Sequence, residues 1–551
     1  MKKILAILLS VLFCVCAAPV TFAADTGTTV YVDSVGGSDA NSGKSDGDAW
    51  KTLEKASETT YEPGSKILLK AGSIFNGSFT AHGNGTADNP VTLGVYGDVE
   101  RLGMPVIRSD EDIILLNLHN VSGWCVQQIE FTAPNGKGIY ITADGDGMTT
   151  DITVQDCVFH DIYYKRCESY SGGHCPIMLS SSGATARLRR ITLRDCRIYD
   201  CAYGVNMGGL TREWTPELFV SPDQSYNTDY LLDGLSLNNI LYDGIIICSI
   251  YGMVIRNCAL ISTSLNEDYY TAPMWSHHAS NYVVENCEIA GATNHLDGMA
   301  VDFDGWTTDA MYQYVYSHDN VRFIRNCCYD NYTKNENCTV RYCLSVNDNK
   351  GDNSMAQLLT AGIQYREDEK AVYMDNFKFY NNTMINASSI DFKDLRNAYI
   401  ANNIFTGDFK TVYRCARKAL DEETGEAYRR QFEGVFSNNC FWGTGYPFAA
   451  KENFICDPGF TGADITDKNS FRLSSTSRLL GKGIRVEDDM GTQDFYGNPV
   501  GAQHNIGCYE GAGEKETAPA SLWKRIVNRV QTALGVVVNF FDYLGNCYWL
   551  F

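Results

Sequence analysis

Short stretches in which apolar and polar residues alternate recur along most of the chain and predict β-strands. Many of these stretches run into Asn or Asp followed by Cys, after which a second short apolar stretch begins. The markers of this repeat are Cys157, Cys196, Asn239, Cys258, Cys287, Cys343, Asn382, Asn403 and Cys440. Most steps between markers span roughly 20 to 45 residues, and the one longer step divides if Tyr316 marks a degenerate copy. Repeats of this length without intervening helices predict a β-solenoid.

The repeat also predicts the roles of its Asn and Cys residues. Parallel strands stack about 4.8 Å apart and place like residues above like. Asn residues at one turn of successive coils are therefore expected to form an amide ladder, with the following Cys pointing inward. Most cysteines then belong to the scaffold, and Cys167 and Cys175, close together in a Gly/Ser-rich loop, are the better disulfide candidates.

The chain divides into four predicted segments. Residues 1–23 carry Lys2 and Lys3, an apolar run and small residues, a pattern typical of a signal peptide and hence of a secreted, extracellular protein. The other three segments are an opening segment over 24–109, a β-helix domain over 110–512, and a linker with an amphipathic helix over 513–551.

Helices are expected only near the two ends. A short amphipathic helix around Trp50 is predicted to cover the first coil, and residues 457–511 are predicted to form the closing turns. The last helix, within 521–551, is expected to pack on an end of the solenoid or on a membrane or cell surface.

The net charge of the chain limits the class of molecule that it is expected to bind. The net charge of −21 and the pI near 4.8 disfavour nucleic acid, which needs a basic face to displace its counterions. An anionic polysaccharide is disfavoured on the same ground, and a neutral polysaccharide or oligosaccharide is the expected partner.

Imidazole and carboxylate side chains concentrate between Ala272 and Cys327. If a strand begins at Met299 with Val301 and Phe303 inward, Asp302 and Asp304 share its outer face. One carboxyl group would serve as a general acid with a raised pKa, and the other as a base or nucleophile. Glycoside hydrolysis requires such a pair of carboxyl groups.

Stacking the stretches PMWSHHAS, MAVDFDGW and VRFIRN predicts His277 or His278 one rung below the Asp pair and Arg322 one rung above. The candidate catalytic residues are Asp297, Asp302, Asp304, His318 and Asp319. The candidate substrate-binding residues are His277, His278, Trp275, Trp306, Tyr314, Tyr316 and Arg322.

Other interpretations stay open at these positions. Asp297 with its following Gly is typical of a turn, and His318 with Asp319 is typical of a turn cap. Asp302 and Asp304 also suit a solvated face or a Ca²⁺ site, and the aromatic residues suit packing under a loop. The predicted chemistry requires no cofactor. Structural or substrate-bridging Ca²⁺ remains an alternative, with the turn of Asp39, Asn41, Asp46 and Asp48 as one oxygen-rich place for it.

With these elements in place, the stretch YVDSVGGSDANSGKSDGDAWKTLEKA and the stretch DGMAVDFDGWTTDAMYQYVYSHDN carry a family resemblance. Over about residues 28–511 the chain resembles secreted right-handed parallel β-helix proteins of the pectate-lyase-like superfamily. It looks closest to their glycoside hydrolases of family 141, which have fucosidase and xylanase activities. The resemblance implies an all-β, single-stranded right-handed parallel β-helix that acts on a glycan. The RIK and GHG motifs of polygalacturonases are absent from the sequence.

The expected function is therefore hydrolysis of glycosidic bonds in a polysaccharide by carboxylate acid/base catalysis. Because the same fold hosts several reactions, two alternatives remain. One is a polysaccharide lyase that uses Arg322 or Lys350 as its base on a uronate-containing glycan. The other is a non-catalytic glycan-binding protein or adhesin.

Overall fold

The computed structural model describes residues 27–163, 173–183, 185–207, 227–328, 335–350, 374–387, 395–408, 434–444 and 452–515, with short backbone stretches between 359 and 433. The predicted signal peptide, the C-terminal amphipathic helix and Cys167 lie outside these residues. Within the described part of the chain, every helix is too short or too polar to span a membrane.

Parallel strands stack into three ladders that wind around one apolar core. Ladder A holds Thr29–Val32, Lys66–Lys70, Val91–Tyr96, Ser122–Gln127, Met148–Gln155, Arg187–Arg194, Asn227–Asp233, Ile245–Arg256, Met274–Glu285, Thr307–Gln313, Thr339–Arg341, Lys378–Tyr380, Ala398–Ala401 and Gly434–Ser437. Ladder B holds Phe79–Thr80, Ile114–His119, Lys137–Ala143, Ile177–Ser181, Val205–Asn206, Met299–Phe303, Arg322–Cys328, Leu359–Ile363, Ser389–Asp391 and Thr411–Val412, together with the first halves of Ile245–Arg256 and Met274–Glu285. Ladder C holds Ile74–Asn76, Val106–Arg108, Glu130–Thr132, Val158–His160, Arg197–Cys201, Ser236–Ile240, Ala259–Thr263, Glu288–Ala290, Tyr316–His318, Leu344–Val346, Thr383–Ile385, Ile404–Asp408, Cys440–Thr444 and Phe454–Ile455.

Each coil runs through ladder B, then ladder A, then ladder C, before a loop leads to the next coil. The predicted fold class, an all-β right-handed parallel β-helix, is confirmed. The smaller elements are the α-helices Leu53–Ser57 and Val99–Leu102, the 3-10 helices Asp46–Asp48 and Lys468–Phe471, the parallel pair Met374–Asp375 and Leu395–Arg396, and the antiparallel pair Lys418–Leu420 and Ala427–Arg429.

The turn from ladder A to ladder C explains the Asn/Asp-Cys repeat. In four coils that have Asn or Asp before Cys, the first residue of the turn adopts a positive φ between 50° and 57°, a region that Asn and Asp tolerate better than most residues. The next residue is a Cys that is buried with a free thiol. These pairs are Asp156–Cys157, Asp195–Cys196, Asn257–Cys258 and Asn286–Cys287. The predicted stack of inward thiols is confirmed.

Three markers of the repeat were placed wrongly. Gly234 and Leu235 form the turn that was assigned to Asn239, because Gly adopts the required positive φ without an Asn or Asp. Asn239 lies at a second corner, inside a ladder C strand, where it donates to Asp200. The degenerate copy exists, but its turn residue is Tyr314 rather than Tyr316. Cys440 lies one residue beyond the turn position and pairs with Ile404 as a strand residue.

The later coils contain an amide ladder, but it lies at the position that Cys occupies in the earlier coils rather than at the predicted Asn before it. Asn382 donates through Nδ2 to Oδ1 of Asn403 at 3.1 Å, and Asn403 donates in the same way to Asn439 at 2.9 Å. Asn439 continues the ladder to Asn453 at 3.0 Å. The first three of these residues are buried, so each amide depends on its neighbours.

Replacing Asn403 with Ala is expected to lower the free energy of unfolding by about 3 kcal/mol, because buried groups of Asn382, Asn439 and Phe379 lose their partners. Denaturant unfolding of the purified chain measures this change. Replacing Asn135 with Ala, which removes one exposed hydrogen bond to Asp110, is the control and is expected to cost less than about 1 kcal/mol. Equal losses in the two variants would contradict a stabilising amide ladder.

The expectation of closing turns over 457–511 is wrong. The last ladder strand is Phe454–Ile455, and the described residues after it contain isolated bridges and one 3-10 helix. This closing segment, residues 456–515, folds back along earlier coils. Its Glu487 binds Lys378 and Tyr380, and its Glu510 accepts a hydrogen bond from Tyr342 at 2.9 Å.

Two local predictions concern Cys175 and the oxygen-rich turn of Asp39, Asn41, Asp46 and Asp48. Cys175 is buried with a free thiol, so the predicted disulfide with Cys167 is wrong at Cys175. In the oxygen-rich turn, Asp39 accepts hydrogen bonds from the backbone N–H groups of Lys51 and Thr52, just before the helix Leu53–Ser57. Protein donors therefore occupy this carboxylate.

Candidate active site

The strand Met299–Phe303 presents its two faces as the sequence predicts. Val301 and Phe303 point into the core and are fully buried. Asp302 and Asp304 alternate with them and lie on the outer face of ladder B. Asp302 is nevertheless only 3% exposed, whereas Asp304 retains accessible surface. The pair is thus a covered carboxyl group beside a reachable one, rather than a solvated face.

Neighbouring strands place specific partners above and below this pair. Trp275, Asp302 and Arg325 stand in register on three successive strands. The backbone N–H of Asp304 donates to the carbonyl of Ser276 at 2.9 Å, which continues the pairing and puts His277 beside Asp304. The prediction of an imidazole one rung below the Asp pair is confirmed for His277.

The prediction of Arg322 above the Asp pair is wrong, because the register places Arg325 there. Arg322 pairs with Met299 at the start of the strand and is buried. Its guanidinium donates to the backbone carbonyls of the preceding loop, at His295, Leu296 and Asp297. The sequence contains a signal for the correct register. If the inward-facing Val301 is paired with the inward-facing Ile324, Arg325 falls next to Asp302. Arg322 therefore anchors the loop.

Asp297 reaches the same face from that loop. Its Oδ1 lies 2.9 Å from Nη1 of Arg325, and its side chain is 15% exposed. Oδ1 of Asn294 accepts the backbone N–H groups of Leu296 and Asp297, which shapes the loop as an Asx turn. Gly298 has a φ of 52°, and a Cβ there would lie 2.2 Å from the carbonyl oxygen of Asn294. The Asp-Gly pair is thus both a turn and part of the cluster.

Burial raises the pKa of all three carboxyl groups, and the Arg325 guanidinium opposes that effect. The pKa of Asp304 is raised to about 7, and a hydrogen bond from Asp302 holds it below a still higher value. Burial and the nearby Asp304 raise the pKa of Asp302 well above its usual range. Two close carboxyl groups in a dry site do not both ionise readily. Protonated and ionised carboxyl groups therefore coexist in this cluster near neutral pH.

Asp302 also carries an unpaired polar atom. Its Oδ1 is buried and has no hydrogen-bond partner among the described residues. A buried polar atom without a partner costs free energy, so this carboxyl group is held in place at the expense of stability.

Imidazole and indole side chains border the cluster. The Nδ1 atoms of His277 and His278 lie 2.8 Å apart, and burial together with His277 lowers the pKa of His278 to about 2. His278 is therefore neutral. It shares its corner of the coil with Trp306, and the two ring centroids lie 6.0 Å apart. Nε1 of Trp275 donates to buried Asp243 at 2.9 Å, which fixes the indole next to Asp302.

The structure does not bring four of the predicted residues to this cluster. His318 and Tyr316 lie on the ladder C strand Tyr316–His318, and Asp319 follows it. Asp319 forms an ion pair with Lys350 at 2.9 Å. Tyr314 is buried beside Arg341 and Gly491 of the closing segment. These residues belong to a different side of the coil.

The surroundings of His318 also recur elsewhere on ladder C. Its two ring nitrogens lie 3.1 Å from Asp319 and 3.1 Å from Glu288. His160 has the same arrangement, 2.8 Å from Asp161 and 3.1 Å from Glu130. A pattern repeated several coils away from the carboxyl cluster indicates a role in the scaffold.

The raised carboxyl pKa values predict a pH-dependent stability. Unfolded Asp loses its proton near pH 3.9, whereas folded Asp304 keeps its proton up to about pH 7. The folded state therefore binds more protons between these limits, and the free energy of unfolding falls as pH rises through this window. The raised carboxyl pKa values therefore favour a higher unfolding temperature at pH 5 than at pH 8, and His278, whose pKa is lowered to about 2, acts in the opposite direction below about pH 6.5. Glu510, whose pKa burial raises to about 7, contributes with the same sign as Asp304.

The Asp304→Asn variant should show a shallower fall in unfolding temperature between pH 5 and pH 8. Some fall remains, because Asp302 and Glu510 are unchanged. An identical pH dependence in the variant and the parent would contradict the assigned pKa shift of Asp304.

No group of three or more His, Cys, Asp and Glu side chains within the described ranges has an arrangement that would hold a metal ion.

Comparisons with known proteins support the fold, and two of the similar proteins are lacto-N-biosidases. No family model matches the chain. A lacto-N-biosidase of Bifidobacterium longum subsp. longum is 42% identical over 92 residues, which is 15% of this chain and 6% of that protein. The chain thus spans only a small part of that relative's length.

Two solved structures share the architecture. The GH136 lacto-N-biosidase of Eubacterium ramulus aligns with a TM-score of 0.50 and 18% identity, covering 74% of this chain and 68% of that one. XylC, solved in complex with xylose, aligns with a TM-score of 0.50 and 10% identity, covering 89% and 99%. The expected resemblance to a β-helix glycoside hydrolase is confirmed at the level of the fold.

Proposed function

We propose that this chain is a glycoside hydrolase whose active site is the outer face of ladder B. The observation that carries this proposal is the cluster of Asp297, Asp302 and Asp304 around Arg325. Its members differ in exposure and protonation, and Asp304 titrates near pH 7. Glycoside hydrolysis needs one carboxyl group that gives a proton and one that is ionised.

The solvent exposure of the three carboxyl groups indicates which two of them act on the substrate. Asp297 and Asp304 keep accessible surface, whereas Asp302 is almost completely covered. Asp297 and Asp304 are therefore the two groups that contact the scissile bond. Asp302 lies behind Asp304 and sets its protonation through their hydrogen bond.

The reaction then needs only side chains of this chain and water. The protonated member of the pair donates its proton to the leaving glycosidic oxygen. The ionised member attacks the anomeric carbon or activates the water that does so. Arg325 balances the negative charge of the cluster through both states. No cofactor takes part in these steps, so activity is expected to persist in excess EDTA.

The preferred substrate follows from the relatives. Two proteins named lacto-N-biosidase resemble this chain, one by local sequence identity and one by fold. We place lacto-N-biosidase substrates first, ahead of other neutral oligosaccharides and polysaccharides. The predicted signal peptide supports action outside the cell.

The lyase alternative loses its predicted bases. Arg322 is buried and donates to three backbone carbonyls, and Lys350 pairs with Asp319 on another side of the coil. A non-catalytic adhesin would not need three desolvated carboxyl groups on one face, since their burial costs stability.

The test is an assay of the mature chain on lacto-N-biosidase substrates and on a panel of neutral glycans, with products identified by mass spectrometry. New reducing ends without unsaturated sugars are expected. Unsaturated products would support a lyase, and binding without any turnover would support the adhesin.

A further inference from the structure

A cleft separate from the carboxyl cluster lies between ladder C and the closing segment. It encloses about 340 Å³, within the lower range of small-molecule sites. One wall carries Glu288 and Tyr316 of two successive ladder C strands, and the other carries Lys468, Arg472, Phe495 and Tyr496. Since Asp302 lies on ladder B, this cleft opens on a different side of the β-helix.

Aromatic rings form much of its surface. The rings of Tyr316 and Phe495 meet edge to face with centroids 6.3 Å apart, and Tyr496 packs against Phe495 at 4.9 Å. His318, two residues along the same strand, lies 4.5 Å from the Tyr316 ring and limits its movement. Phe495 and Tyr316 both keep accessible surface in the cleft. Aromatic rings held in place at the wall of a cleft suit contact with the apolar face of a sugar ring.

Hydrogen-bonding groups surround these rings. The buried Nε of Arg472 has no hydrogen-bond partner among the described residues. Lys468 at the rim places its Nζ 5.6 Å from the centre of the Tyr316 ring. These groups offer donors and acceptors to the hydroxyls of a bound molecule.

The charges of the cleft largely cancel. Arg472 pairs with Glu514 at 3.1 Å, and Glu288 lies 3.1 Å from a ring nitrogen of His318. Among the charged side chains that line the cleft, Lys468 forms no ion pair with a carboxylate of the described residues. The net charge of −21 further disfavours an anionic chain as the occupant.

We propose that this cleft is an auxiliary site that binds a neutral sugar unit of a glycan and does not cleave it. Tyr316 and Phe495 contact the sugar ring, and Lys468, Glu288 and Arg472 contact its hydroxyl groups. The site would hold the protein on a polymer while the outer face of ladder B remains free. The proposal does not depend on the proposed catalytic function.

The test is affinity electrophoresis of the full chain through gels that contain soluble xylan, galactan, glucan or pectin. All proteins carry Asp304→Asn, so that the glycan stays intact whether or not the proposed function holds. We expect retardation by at least one neutral polysaccharide. Tyr316→Ala and Phe495→Ala should each weaken that binding at least tenfold. Lys468→Ala, which alters only an exposed residue at the rim, should weaken it severalfold without affecting folding.

Tyr199→Ala is the matched control. Tyr199 also lies on ladder C and stacks on a histidine, His160, at 5.2 Å, but it does not line the cleft. Its replacement should leave binding unchanged. Unchanged binding in Tyr316→Ala and Lys468→Ala, retardation by pectin alone, or no retardation by any gel would overturn the proposal. With Asp304 restored, turnover of a small soluble glycoside should be the same in Tyr316→Ala and the parent, which separates this site from the catalytic one.

Discussion

Replacing Asp304 with Asn is expected to lower kcat between about 100-fold and 10,000-fold, because the amide neither gives up a proton nor attacks an anomeric carbon. KM should change little, since the amide keeps the size of the carboxyl group. The same loss is expected for Asp297→Asn. Steady-state kinetics on the best substrate of the panel measure both. An aryl glycoside with a good leaving group assigns the roles, because loss of the proton donor is partly bypassed on such a substrate.

Asp309→Asn is the control for these variants. Asp309 is exposed on ladder A of the same coil, where its carboxylate accepts a hydrogen bond from Asn337 at 2.8 Å. Asn is also compatible with its positive φ of 51°. Its replacement should leave kcat within about twofold of the parent. Full activity in Asp304→Asn would remove this residue from the mechanism.

Replacing Arg325 with Met is expected to lower the free energy of unfolding by about 3 kcal/mol, because it leaves buried carboxyl groups without their cation. Arg325 lies 2.9 Å from Asp297 and lowers the pKa of Asp297, Asp302 and Asp304. Without it these pKa values rise, and the acidic limb of the kcat profile moves to higher pH. Denaturant unfolding and a pH–rate profile measure the two effects.

Arg256→Met is the matched control, since it also removes an arginine ion pair from the β-helix. Arg256 lies 2.8 Å from Asp233, but its side chain is 42% exposed, and surface pairs of this kind contribute little to stability. Arg325→Lys keeps the charge without the planar guanidinium, and should recover part of both losses. Equal effects of Arg325→Met and Arg256→Met would show that Arg325 is only another surface cation.

The architecture could be predicted from the sequence because the pattern of strands and turns recurs visibly along the chain. Alternating strands, a turn that favours Asn or Asp, and an inward Cys recur at each coil, and stacking then fixes the fold. The same alternation correctly placed Asp302 and Asp304 on the outer face. Local pattern was sufficient for these features because each depends on residues close together in the chain.

The register between coils was harder to predict. The loop before Arg322 is shorter than the loop before Met299, so the loops give no register, and Arg322 was placed over the Asp pair instead of Arg325. Periodicity within one strand does not reveal how far the next strand is shifted. Pairing the apolar Val301 and Ile324 would have corrected it.

The contacts that the closing segment makes with earlier coils could not be predicted from the repeat. The sequence pattern placed Tyr314 and Tyr316 beside the carboxyl cluster, yet they contact residues more than 140 positions later in the chain. No repeated pattern links residues 456–515 to the coils they contact. Likewise, burial of Asp302 depends on its tertiary surroundings, and the alternation of its strand suggested a solvated side chain.

The most direct test of the central claim is cleavage of the best glycan substrate in water enriched in ¹⁸O, followed by mass spectrometry of the products. Hydrolysis by the parent should introduce one ¹⁸O atom for each bond cleaved, and Asp304→Asn should give almost no product in the same time. Unsaturated products without ¹⁸O, or equal product from the parent and the variant, would contradict hydrolysis at this carboxyl cluster.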